Sequence, residues 1–63
     1  MKPNEVIKRL EADGWYKLPG KRSGHKQYKH PTKPGKVTVP VHSKEIGLPT
    51  LKSIEKQSGV KMR

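Results

Sequence analysis

The sequence predicts an α+β domain ordered α-β-β-β-α, with both helices packed on one face of a three-stranded antiparallel sheet. Three observations lead there. Near each end of the chain, an apolar stripe at helical spacing opens on a proline and closes on a glycine. Between them, Val37, Val39 and Val41 alternate with Thr38, Pro40 and His42, the pattern of a half-buried strand. Turn signals at Pro19-Gly20 and from Pro31 to Gly35 divide the middle of the chain into three short segments.

The first helix is expected from Pro3 to Asp13. Pro3 suits the first turn, where a missing N–H costs nothing, and Glu5 complements the dipole there. Val6, Ile7 and Leu10 form the stripe, while Lys8, Arg9 and Glu11 point away. Gly14 fits the C′ position, and Trp15 falls where a C″ side chain folds back on the helix. A short strand follows from Trp15 to Leu18, and a second, weakly apolar, from His25 to His30. Pro40 lacks a ladder donor, so the third strand should be an edge or break there. The last helix is expected from Pro49 to Ser58, with Leu51 and Ile54 facing inward and Gly59 closing it. Packing two striped helices against one sheet face leaves the other face open.

Sixty-three residues make one domain, residues 1–63, and a chain this short buries only about 60% of its unfolded surface. Cysteine is absent, so neither a disulfide nor a thiolate metal site braces it, and a cytoplasmic location is expected. No segment is apolar and long enough for a signal peptide or a membrane span. The net charge of +10 creates a field that concentrates polyanions. A membrane-surface helix would need bulky apolar residues on one face of a continuous basic helix. Here Gly20, Gly24, Pro31 and Pro34 interrupt the basic stretch, so nucleic acid is the expected partner, not a membrane.

Seven Lys or Arg and no Asp or Glu lie between Lys17 and Lys36. Lys17, Lys21, Arg22, Lys26, Lys29, Lys33 and Lys36 are therefore read as a phosphate footprint, with Gly24 allowing close approach of the backbone. His25 sits inside this run, in Ser23-Gly24-His25-Lys26-Gln27-Tyr28-Lys29-His30-Pro31. An imidazole there can take a proton from a ribose 2′-OH or give one to a 5′-oxygen leaving group. Lys29, at even spacing, shares the face of His25 and is a candidate electrostatic helper. His30, at odd spacing, is expected to pack or cap the turn at Pro31. His42, on the strand face opposite the valines, is either a second proton carrier or an ordinary strand-end residue. Tyr28 and Trp15 are expected in the core, and Tyr16 on the other face, where it can stack a base. The three histidines match no common ligand spacing, so no metal and no cofactor is expected.

Nearly end to end, the chain resembles HicA-type toxins, small ribonucleases (mRNA interferases) of bacterial toxin–antitoxin pairs. The landmarks are Leu10, Gly14 and Trp15; His25 to Pro31; Val37 to His42; Lys44-Glu45; and Thr50 to Ile54 with Gly59. The family places Gly-Ser before its catalytic histidine, where this chain has Ser23-Gly24, and Gly-Thr-Leu at the last helix, where this chain has Pro49-Thr50-Leu51. Tyr28, His30 and Pro31 keep their offsets, so His25 maps onto the catalytic position. The resemblance implies a double-stranded-RNA-binding-domain-like fold, mRNA as substrate, and a HicB-like antitoxin that blocks the toxin. Two other readings fit the residues: a non-catalytic RNA-binding module of the same fold, and a basic ribosome-associated protein.

Overall fold

The computed structural model describes residues 1–20, 24–42 and 44–62. Lys21, Arg22 and Ser23, named above, lie outside the described residues.

The order is α1 (Pro3–Ala12), β1 (Tyr16–Lys17), β2 (His25–Lys29), β3 (Lys36–Pro40) and α2 (Leu48–Ser58). This is the expected α-β-β-β-α succession, with element ends shifted by one or two residues. The sheet is antiparallel in the order β1-β2-β3. β3 is thus an edge strand, and it stops at Pro40, where the proline has no N–H to offer a neighbour. The expectation that His42 ends this strand is corrected: it lies two residues beyond.

α1 ends as its sequence directs. Gly14 takes φ 106°, a value that side chains on Cβ disfavour. Its N–H then donates to the Glu11 carbonyl and that of Trp15 to the Leu10 carbonyl, both at 3.0 Å, which is the Schellman pairing. This reversal drops the Trp15 indole into the core.

Val6 and Leu10 of α1 and Leu51 and Ile54 of α2 bury against Tyr28, Val37 and Val39 of the sheet. Both helices pack on β3, so they share one side of the sheet. Burial of each aliphatic side chain stabilises by roughly 1.5–3 kcal/mol, so a few of them decide whether so small a domain folds. Trp15, Ile46 and Met62 complete the cluster, with Ile7 and Val41 only partly buried. Ile46 and Met62 lie outside regular structure, and each is anchored by its backbone N–H. The Ile46 N–H donates to the Met1 carbonyl at 2.7 Å, and the Met62 N–H donates to Glu55 Oε2 at 2.8 Å.

Candidate functional site

Strand pleating sorts β2 into two faces. Tyr28 is buried toward the helices, so His25, Gln27 and Lys29 point to the open side, and all three are exposed. Residues directly opposite each other share a face. The register therefore adds Tyr16 and Lys36 beside Lys29, Thr38 beside Gln27, and Pro40 beside His25. The open face reads Tyr16, Lys29, Lys36 at one end, Gln27 and Thr38 in the middle, and His25 with Pro40 at the other.

No acid joins this face. Glu5, Glu11, Asp13, Glu45 and Glu55 all lie on α1, its C-cap, the loop before α2, or α2. Lys29 and Lys36 stand opposite each other with no ion pair among the described residues. Like charges so placed cost stability, and an anion above the sheet would reverse the sign. His25 likewise has no hydrogen-bond partner among the described residues. Tyr28, the buried neighbour, is not a proton carrier at neutral pH. Burial, and next the charge of Glu11, push its phenol above the usual tyrosine value.

The seven cations of the basic run do not make one surface. Lys17 lies opposite Tyr28, on the helix side of the sheet, and is exposed. Lys26 is half-buried opposite Val39, again on the helix side and away from the His25 side chain. Lys26, read above as part of the phosphate footprint, therefore does not share the face of His25, because adjacent residues of a strand face opposite ways. Lys33 is engaged elsewhere. Its ammonium donates to Asp13 Oδ2 at 2.6 Å and to the Ser58 carbonyl at 3.1 Å, tying the β2–β3 turn to the ends of both helices. Among the described cations of the run, Lys29 and Lys36 share the face of His25.

Gly24 is buried, with φ 97°. Its carbonyl accepts the Val41 N–H at 2.8 Å. The His42 ring fills the space where a Cβ on Gly24 would stand, with Nε2 only 2.6 Å from that point. Glycine is needed there twice over, for its backbone and for the imidazole seated on it. His42 therefore lies against the residue that precedes His25 in the chain, which brings a second imidazole to that end of the sheet.

His30 is used differently. Its Nε2–H donates to the Asp13 carbonyl at 2.7 Å, which requires the proton on Nε2. Nδ1 then accepts the N–H groups of Thr32 and Lys33, both at 3.1 Å. The ring meets Trp15 edge-on, with centroids 5.2 Å apart. It caps the turn after β2, as its odd spacing from His25 predicts. The Asp13 carboxyl is held below its usual value of 3.8, first by the hydrogen bond from Lys33.

Among the described residues, no group of three or more His, Asp or Glu is placed to hold a metal ion. No helix among them is long and apolar enough to cross a membrane.

The chain thus presents an α-β-β-β-α domain with an exposed histidine on a cationic sheet face. The family described as "HicA toxin of bacterial toxin-antitoxin" matches residues 3–60. The chain belongs to the HicA toxin family. It is thus the toxin of a toxin–antitoxin pair, and its fold is the double-stranded-RNA-binding-domain-like fold that the resemblance implied. The match runs from the first residue of α1 to just past Gly59, so every element described here falls within the family domain. A comparison with curated proteins finds no match.

Proposed function

We propose that this HicA-family toxin is an endoribonuclease that cleaves mRNA without a metal ion, with His25 as its acid–base group. One observation carries the reading: His25 is exposed and without a hydrogen-bond partner among the described residues, on a sheet face that holds Lys29 and Lys36 and no carboxylate. An imidazole left unpaired in a folded domain is available for proton transfer, and lysines on the same face attract the phosphodiester that it acts on.

The chemistry is internal transesterification. His25 takes the proton of a ribose 2′-OH. The 2′-oxygen forms a bond to phosphorus as the bond from phosphorus to the 5′-oxygen breaks, and the departing oxygen receives a proton. DNA lacks the nucleophile and is not cut. Lys29 stabilises charge on the phosphoryl oxygens, and His42, seated on Gly24, is the second imidazole able to carry a proton. Gly24, which is buried, serves this end of the sheet by seating the His42 ring. Such an activity halts translation in the cytoplasm, so it must be restrained. A HicB-like antitoxin presenting Asp and Glu to the open face would cover His25 and compete with RNA.

The test is cleavage of RNA in excess EDTA by the wild type and by His25→Ala. The wild type should cut. The variant should lose about 100- to 10,000-fold in rate while still binding RNA. Activity that disappears in EDTA and returns with Mg²⁺ or Mn²⁺ would refute the metal-free step. Undiminished activity in the variant would remove His25 from the chemistry. If neither protein cuts but both bind, an RNA-binding module remains.

A further inference from the structure

The open face carries more order than a charged patch requires. Its three rows run across the strands, each two residues from the next. Tyr16, Lys29 and Lys36 form the first row, Gln27 and Thr38 the second, His25 and Pro40 the third. From Lys29 to His25 is four residues of strand, about 13 Å at the usual rise. That is the reach of a short stretch of extended polynucleotide, not of one phosphate.

Each row offers something different. Tyr16 is 47% exposed although aromatic. Tyrosine on a strand is ordinarily explained by packing, but this ring lies on the face opposite the core and beside a lysine. An exposed ring flanked by cations suits a base stacked on it, with the adjoining phosphate held by the ammonium groups. Gln27 and Thr38 are neutral, exposed, and carry both donors and acceptors, the equipment for reading base edges.

A duplex is the wrong occupant. Its bases are stacked on one another and cannot lie on the Tyr16 ring, and its recognition needs a cationic surface spanning successive grooves. Another exposed surface, the outside of α1, mixes Lys8 and Arg9 with Glu5 and Glu11.

We infer that the open sheet face is a track for single-stranded RNA, in which Tyr16 stacks a base about two nucleotides from the phosphate at His25. Gln27 and Thr38 contact the nucleotide between, so the track selects sequence as well as strandedness. The inference rests on the ribonuclease reading for the position of the scissile phosphate, but the binding part stands without it.

The experiment uses the full chain carrying His25→Ala, so that binding is read without cleavage. A fluorescein-labelled single-stranded RNA of mixed sequence, and the same strand annealed to its complement, are titrated and followed by anisotropy. The single strand should bind more tightly. Adding Tyr16→Ala should weaken single-strand binding by about 5- to 150-fold, while Tyr16→Phe and Tyr16→Trp keep it within about threefold. Circular dichroism of each variant checks the fold. One abasic position in the strand should reproduce the loss, and combining it with Tyr16→Ala should add nothing further. The track is overturned if Tyr16→Ala leaves binding unchanged, or if the duplex binds as well as the single strand. It is equally overturned if Tyr16→Ala weakens only the antitoxin complex, which would assign the face to protein. Should the single strand bind through Tyr16 while the wild type cuts no RNA, the track stands and the nuclease reading falls.

Discussion

Strand β2 has a histidine at or just past each end, and the two illustrate opposite uses of one side chain. His30 spends both ring nitrogens on backbone groups, keeps 10% of its side chain exposed and stacks its edge on Trp15. His25 is exposed and bonds to nothing among the described residues. Five positions separate them, so the pleat sends them to opposite sides of the sheet. Residue type alone could not rank them. A histidine whose two nitrogens are already engaged cannot exchange a proton without breaking the turn it holds. One that is left unengaged in so cationic a setting can.

The contrast breaks most visibly at His30. His30→Ala removes an acceptor for two N–H groups, a donor to Asp13 and an aromatic contact, and should cost about 2–3 kcal/mol in urea unfolding. His25→Ala should stay within about 0.5 kcal/mol of wild type in the same experiment. Equal losses would mean that the two histidines are not divided between structure and chemistry.

Gly24→Ala sharpens the other end of the strand. The methyl group would demand a strained φ and displace the His42 ring, so stability should fall by about 1–2 kcal/mol and cleavage should fall with it. Gly20→Ala is the control, since a Cβ there meets nothing within 4 Å. If both variants behave alike in melting temperature and cleavage, His42 has no seat on Gly24.

The smallest effect concerns acid. The carboxyl of Asp13 is lowered below 3.8 in the folded protein, chiefly by Lys33. Its contribution to stability is therefore present above the unfolded value and lost as pH falls through the folded one. Melting temperature followed from about pH 5 to about pH 3 should drop less steeply in Asp13→Asn than in wild type. Identical slopes would mean that the ion pair with Lys33 is not maintained in solution.

Much of the fold was legible because its signals are local. Pro3 and Gly14 bracket one helix, Pro49 and Gly59 the other, and the valines of β3 show their period directly. Ile46 and Met62 were missed for the converse reason. Each lies outside regular structure, in a stretch too short to show a period, and its backbone N–H is anchored to Met1 or Glu55, which no local pattern announces. The candidate site was legible in kind but not in membership. Alternation along β2 placed Lys29 with His25, and alternation after Trp15 placed Tyr16 on the other face. The same alternation should have removed Lys26, but a linear run of charge invited reading it whole. Lys33 could not have been withdrawn from sequence, since its partner Asp13 is twenty residues away.

The sheet's edges have a consequence of their own. β1 is two residues long, and β3 begins at Lys36 and stops at Pro40. Exposed edges invite strands from other chains to add on, and short edges, lysine and proline are the means by which sheets discourage it. A marginally stable domain, made in a crowded cell and carrying an uncovered face, is thereby protected against polymerising through its own backbone.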